Sequence, residues 1–202
     1  VFRALGLRHW GSILTAAAPF QPPATGTRTV YRHATLIDST TPQPRPDMAV
    51  ITDGERITAV VPDRSLTKAQ LAGAKLVDLS GRYLLPGFID THQHLATPPD
   101  RGEAERRLRR DINSGITATR DMADDIRQIS DLARAALVGE IASPDIYYPA
   151  LMARPSFFTD PRTAAVAQGA VPGQLRWMKA IDGQTNLPEA ITLARGTGAT
   201  AI

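Results

Sequence analysis

The chain changes character within one segment, Leu84-Leu-Pro-Gly-Phe-Ile-Asp-Thr-His-Gln-His94. Before this segment, short runs rich in β-branched residues alternate with turn signals, which is typical of an all-β unit. After it, apolar strand-like runs alternate with segments of helical periodicity, which predicts a parallel sheet with helices packed on it. The mostly apolar run from Leu84 to Ile89, carried on to His94, is therefore predicted to be the first strand of that sheet.

Three parts follow from this pattern in a chain of 202 residues. Residues 1–28 are predicted to be a disordered tail, or alternatively a signal segment, because Arg3 and Arg8 precede a short apolar stretch. Residues 29–85 are predicted to be the small all-β unit, a portion of a β-sandwich. Residues 86–202 are predicted to be the first half of a (β/α)8 barrel, since four strands can be counted and a complete barrel needs about 250 residues.

The elements within these parts are predicted from their periodicity and their turn residues. In the β unit, Asp53-Gly54 is expected to join two strands of a hairpin. The β-unit strands are predicted at Val30 to Ile37, Met48 to Thr52, Arg56 to Val61 and Lys75 to Leu79. The later elements are helix Gly102 to Ser114, strand Ile116 to Met122, a helix burying Ile126, Ile129, Ala133 and Leu137, strand Ile146 to Met152, a helix opened by Asn186 and Pro188, and a strand beginning at Ala199.

The stretch from Ala153 to Gln184 is too long for an ordinary connection within such a unit. We interpret it as a cover over an active site, with a helix that starts at Asp160-Pro161 and stops at Gly169. Phe157 and Trp177 within it could line a substrate pocket. Packing of the same side chains onto the barrel is an equally good interpretation at this point.

Composition excludes several classes of function. The chain is 43% hydrophobic and has no cysteine, so it predicts a folded protein without disulfides or a thiolate metal site. The arginine run at residues 106–110 is flanked by Glu103, Glu105 and Asp111, which indicates a solvated helix face and no nucleic-acid partner. No apolar stretch is long enough to predict a membrane span. We expect a cytoplasmic protein, or an exported one if residues 1–20 are a signal segment.

His92 and His94 are the residues that indicate chemistry. Two histidines separated by one residue on a strand point to the same face, about 6.5 to 7 Å apart, so both imidazoles could bind one metal ion. At the C-terminal end of a barrel strand they would face the mouth, where barrel enzymes place their active sites. Gln93 would point away. Spacing alone is weak support, because such a pair also occurs by chance.

The wider motif is more specific. The segment from Val77 to Leu95 resembles the first-strand motif of the amidohydrolase superfamily. The segment from Ala34 to Val61 resembles the N-terminal portion of that family's composite β-sandwich, and Gly115-Ile-Thr-Ala-Thr-Arg-Asp121 resembles its second strand. The resemblance is to metal-dependent members of an imidazolonepropionase/prolidase-like subgroup.

This resemblance implies a hydrolase in which water bound to one or two divalent metal ions, expected to be zinc, attacks the C–N bond of a small amide or dipeptide. It implies that His92 and His94 are metal ligands. It also implies that a carboxylated lysine, two histidines and a general-base aspartate follow beyond Ile202, so no catalytic residue is expected within the chain. The lysines present, Lys68, Lys75 and Lys179, are not at the expected strand end.

Several alternatives stay open on the sequence. The chain could be a non-catalytic metal-binding fragment that needs its missing half, or belong to a deaminase of the same superfamily. Asp90 and Asp121 could orient a ligand, although a strand-fixing role for Asp90 and a helix-capping role for Asp121 are at least as good. His9 and His33 are expected to be surface histidines. A homo-oligomer is compatible with the resemblance.

Overall fold

The structure is a computed structural model that describes residues 26–97 and 99–202. The predicted tail or signal segment lies outside the described residues, except for residues 26–28. None of the helices in the described part has the length and apolar character needed to cross a bilayer. The chain separates into two compact units between Gly87 and Phe88, called here the N-terminal unit and the C-terminal unit.

A five-stranded sheet forms the N-terminal unit. Its strands are β1 Arg28–Leu36, β2 Arg45–Asp53, β3 Arg56–Pro62, β4 Lys75–Asp78 and β5 Tyr83–Leu84. The order is β3-β2-β1-β4, with β5 also paired to β1. The first three strands are antiparallel neighbours, whereas β4 and β5 run parallel to β1. The predicted strands and the Asp53-Gly54 turn are confirmed, with Gly54 at a φ of 57°.

The central strand β2 is apolar on both faces, and this explains its position in the sheet. Ala49 and Ile51 pack with Val30 of β1 in one buried cluster. Met48 and Val50 alternate with them and pack with Leu36 in a second cluster. Burying a Val, Ile or Met side chain contributes about 1.5 to 3 kcal/mol, so both clusters favour this register. A short helix, α1 Lys68–Leu71, begins at a Thr67 capping box that the sequence prediction missed.

The C-terminal unit begins with a three-stranded parallel sheet of β6 Phe88–Gln93, β7 Ile116–Asp121 and β8 Asp145–Tyr147, in that order. The prediction of one continuous run from Leu84 to His94 is wrong. Leu84 pairs with Leu36 in the N-terminal unit, and a new strand begins at Phe88. Pro86 lies in the break, where its missing N–H cannot take part in a ladder. His94 therefore follows the strand and is not part of it.

Two helices pack on this sheet, α2 Arg101–Asn113 and α3 Ile126–Leu137. The predicted stripe of α2 is confirmed, since Ala104, Leu108 and Ile112 are buried. The predicted face of α3 needs correction: Ile126 and Ile129 are buried, but Leu137 is 76% exposed. The buried stripe continues through Leu132 and Ala136, and Leu137 lies in the last turn on the solvent side.

The predicted strand from Ile146 to Met152 is two strands in different sheets. Its first part is β8, and its second part is β9 Leu151–Ala153, which pairs in parallel with β10 Met178–Ala180. Pro149 lies between the two parts and has no N–H for a ladder. The predicted strand from Ala199 makes only an isolated bridge between Ala201 and Pro149.

The predicted cover contains regular structure of its own. It includes β10, a 3-10 helix at Pro155–Thr159 and helix α4 Pro161–Ala167, which Asp160 caps as predicted. The chain leaves α4 through Gln168 in the left-handed conformation, with φ of 51°. Helix α5 Leu187–Arg195 follows, capped by Asn186. The described residues thus form a mixed α/β protein with several sheets.

Candidate metal site

His92 and His94 lie together at the C-terminal end of β6. Their ring centroids are 5.4 Å apart and the ring planes are at 71°. Both residues are exposed, so neither imidazole is held in the core. Two imidazoles bound to one tetrahedral zinc ion, at zinc–nitrogen distances of about 2.1 Å, have ring centres about 5 Å apart. The observed spacing therefore fits two ligands of one ion.

Asp124 holds the ring of His94. The Oδ1 atom of Asp124 lies 3.0 Å from Nδ1 of His94. The same carboxylate accepts hydrogen bonds from the Thr97 hydroxyl at 2.8 Å and from the Ala96 N–H at 2.5 Å. Its side chain is fully buried. A buried carboxylate on the far nitrogen of a histidine is the usual arrangement behind a metal-bound imidazole.

Asp121 holds the backbone of the same turn. It is fully buried at the end of β7 and accepts the Leu95 N–H at 2.9 Å and the Asp124 N–H at 3.1 Å. Burial, the nearby charge of Asp124 and a side-chain hydrogen bond with Asp124 raise the pKa of Asp121 to about 8. The raised pKa favours the protonated form of Asp121 near neutral pH. It does not cap the following helix, because Asp125 does.

Asp90 acts on the strand and not on an imidazole. Its carboxylate accepts the backbone N–H of His92 at 3.0 Å and the side-chain amide of Gln93 at 2.9 Å. The side-chain amide of Gln93 also donates to Asp111 of α2 at 3.0 Å. The hydrogen bonds from Gln93 and His92 keep the pKa of Asp90 below its usual range. This geometry matches the strand-fixing interpretation of Asp90.

The predicted pocket residues have different environments. Trp177 is 6% exposed and belongs to the buried core cluster of the C-terminal unit. Phe157 is 46% exposed and stacks edge-on against Phe158. Trp177 therefore packs the unit, while Phe157 remains open to solvent. Lys179 lies in β10, and the other two lysines lie in the N-terminal unit.

A second group of donors lies in the N-terminal unit. Nδ1 of His33 is 2.9 Å from Asp47 and 3.5 Å from Asp63. The potential ligand atoms of these three residues lie within 4.8 Å of one another. However, Arg32 binds both oxygens of Asp63, at 2.6 and 3.0 Å, and supplies the positive charge that a cation would bring. We interpret this group as an ion-pair network.

Sequence reasoning missed Asp124 as a residue of the site. Asp124 and Asp125 both directly precede α3, so by sequence either could cap it, but only one of them can occupy the cap position. The structure assigns the cap to Asp125, which accepts the Arg127 N–H at 3.0 Å. The sequence did contain one signal for Asp124. It is a second aspartate beside a helix cap, and it follows the strand next to the histidine pair.

No protein-family model matches the chain, but named proteins are similar to parts of it. An adenine deaminase from Rubrobacter xylanophilus is 38% identical over 82 residues, covering 41% of this chain and 13% of that protein. An imidazolonepropionase from an Arthrobacter species is 40% identical over 103 residues, covering 48% of this chain and 23% of that protein.

Solved structures share the fold over most of the chain. The crystal structure of a Xaa-Pro dipeptidase with bound methionine superposes with a TM-score of 0.66 at 20% identity. This match covers 86% of this chain and 45% of that one. The chain therefore spans less than half the length of each of these three proteins.

Proposed function

We propose that this chain, which belongs to the amidohydrolase superfamily, is part of a metal-dependent hydrolase that cleaves C–N bonds in small amides or dipeptides. The observation that carries the proposal is the pair of imidazoles at the end of β6, spaced as ligands of one ion and backed by a buried carboxylate. Neutral imidazole is a common ligand of zinc and similar divalent metals.

The wider architecture is part of the same proposal. We place β6, β7 and β8 as the first strands of a (β/α)8 barrel, and the sheet of the N-terminal unit as a portion of a β-sandwich. Right-handed crossovers through α2 and α3 would put the ends of these strands at one mouth. The mixed α/β neighbours, including the Xaa-Pro dipeptidase, support this placement.

The residues present account for half of a tetrahedral ligand set. Zinc at a catalytic site normally keeps three protein ligands and one open position, so two histidines need further donors. The resemblance assigns these donors and the general base to a region after Ile202. A bound divalent metal would make its water acidic enough to act as a nucleophile near neutral pH. Within the chain, His92 and His94 would bind the metal ion, and Asp124 would orient the ring of His94.

A deaminase is the second candidate, and the adenine deaminase relative favours it. Removal of a ring amine and hydrolysis of an amide both need water attack at a carbon bonded to nitrogen. The first strand therefore supports both reactions. The small-molecule class of the substrate is common to the two candidates.

Metal content of the protein encoded by the whole gene, purified without chelator or histidine tag, tests the proposal. We expect one or two equivalents of a divalent metal, with at least one lost in His92→Ala. His33→Ala is the matched control, because His33 is the histidine of the N-terminal ion-pair network. The proposal fails if the protein holds no stoichiometric metal, or if His33→Ala loses metal and His92→Ala does not.

An activity panel then separates the two candidates. Xaa-Pro dipeptides, N-acyl amino acids and an imidazolone ring represent amide substrates, and adenine represents amine removal. We expect ninhydrin-positive products or ring opening from the first group. Ammonia release from adenine, with no turnover of the amides, would replace the proposed hydrolase with the deaminase.

A further inference from the structure

The hydrogen bond between Asp124 and His94 has a consequence for the state of the imidazole. Oδ1 of Asp124 can only accept, and it lies 3.0 Å from Nδ1 of His94. An unprotonated Nδ1 at this distance would place two acceptors in contact within a site where the carboxylate is fully buried. The ring must therefore carry a proton on Nδ1. In the neutral ring, this leaves the lone pair on Nε2.

We propose that Asp124 is a positioning residue that selects the Nδ1-protonated tautomer of His94 and so presents Nε2 to the metal ion. The proposal rests on the metal-binding role given to His94 above. It adds that Nε2 of His94 is the binding atom, and that Asp124 keeps Nε2 unprotonated before the metal binds.

Asp124 is itself fixed, so it can hold the ring without rearranging. Its two oxygens accept from three residues of the turn that follows β6, namely His94, Ala96 and Thr97. Its backbone N–H donates to Asp121, which also accepts the Leu95 N–H. The two aspartates thus fix the backbone of the turn and the ring that projects from it. A ligand placed this way loses little conformational entropy on binding.

His92 provides an internal contrast. Within residues 26–97 and 99–202, no side chain holds the ring of His92 by a hydrogen bond, and Asp90 contacts only its backbone N–H. Loss of Asp124 should therefore change one ligand of the pair and leave the other unchanged. This selectivity separates a positioning role from a general effect on the fold.

Nitrogen NMR of the histidine rings tests the proposal directly. The protein encoded by the whole gene is labelled with 15N-histidine, stripped of metal with chelator and measured at a pH where the ring is neutral. His94→Gln identifies the His94 signals by their loss. We expect His94 to show a protonated Nδ1 and an unprotonated Nε2. A His94 ring protonated on Nε2 would overturn the proposal, and this measurement needs no substitution at Asp124.

Zinc affinity supplies the second measurement. Asp124→Ala should weaken zinc binding about 10- to 100-fold and shift His94 toward the other tautomer. Asp125→Ala is the matched control, because Asp125 is an adjacent, equally buried carboxylate that binds Arg127 instead of a histidine. Its zinc affinity should stay within about two-fold of wild type, since it orients no ligand. Equal affinities of Asp124→Ala and wild type would overturn the positioning role.

The two proposals can fail separately. If His94 carries its proton on Nδ1 but its Nε2 signal does not move when zinc is added, the metal site is wrong and tautomer selection by Asp124 stands. If zinc moves Nε2 in wild type and equally in Asp124→Ala, with unchanged affinity, the metal site stands and the positioning role is wrong.

Discussion

The buried acid Asp121 should make the stability of the fold depend on pH, and Asp121→Asn should remove that dependence. The pKa of Asp121 rises from the ordinary 3.8 to about 8 in the folded chain. The folded state therefore keeps a proton that the unfolded state releases. For a raised pKa, the stabilisation is complete below about 4 and is lost as the pH rises toward 8.

The magnitude follows from proton linkage. Between the two pKa values, one extra proton on the folded state costs about 1.4 kcal/mol of unfolding free energy for each unit of rising pH. From pH 5 to pH 7 the loss is about 3 kcal/mol from this residue alone. The side-chain amide introduced by Asp121→Asn keeps an N–H donor toward Asp124 and one acceptor for the turn. It gives up one acceptor, at a cost of about 1 kcal/mol that does not vary with pH.

Urea unfolding followed by circular dichroism, at pH 5, 6 and 7, measures the effect. We expect Asp121→Asn to be within about 1 kcal/mol of wild type at pH 5 and about 3 kcal/mol more stable than wild type at pH 7. The control is Asp131→Asn, because Arg101 and Arg134 lower the pKa of Asp131 and it should stay ionised across this range. Parallel curves for wild type and Asp121→Asn would refute the reasoning.

Two further substitutions test the packing and the ion pairs, each by the change in unfolding free energy. Leu108→Ala should lower the unfolding free energy by about 2 to 5 kcal/mol, because Leu108 is fully buried on α2. Leu137→Ala should change it little, because the Leu137 side chain is 76% exposed. Equal losses of stability in the two variants would contradict the assigned α3 face. Arg32→Met should lower the unfolding free energy by about 1 to 2 kcal/mol, because it leaves the buried Asp63 carboxylate without its arginine partner. Arg28→Met should have almost no effect, because the Arg28–Asp53 pair is exposed. Equal effects of the two arginine substitutions would contradict the ion-pair interpretation.

Local signals predicted the strands of the N-terminal unit and most helix starts correctly. The β2–β3 hairpin needed only the Asp53-Gly54 turn and the flanking β-branched runs. At the predicted helix starts, Asp160 and Asn186 each place a side-chain oxygen on the first turn of a helix. These features depend on residues within one turn of each other, so a single sequence contains them fully.

Strand pairing between residues far apart in sequence could not be predicted from local signals. The apolar run from Leu84 to Ile89 is continuous in sequence, yet its start pairs with β1 and its end with β7. The run from Ile146 to Met152 is likewise shared between two sheets. Hydrophobicity indicates that a run forms a strand, but not which neighbouring strand it pairs with. Pro86 and Pro149 were the local signs of both breaks.

The candidate site shows the same limit at the level of single side chains. Asp121, Asp124 and Asp125 are alike in type and all buried, but they bind the turn backbone, an imidazole and a helix N-terminus respectively. Their positions at and after the end of β7 separate them. Asp121 and Asp124 contact the segment that follows His92, whereas Asp125 contacts the start of α3. The histidine pair could be found from its spacing together with the motif around it. Which nitrogen of His94 faces outward depends on a contact 30 residues away in sequence, and only the packing of β6 beside β7 creates that contact.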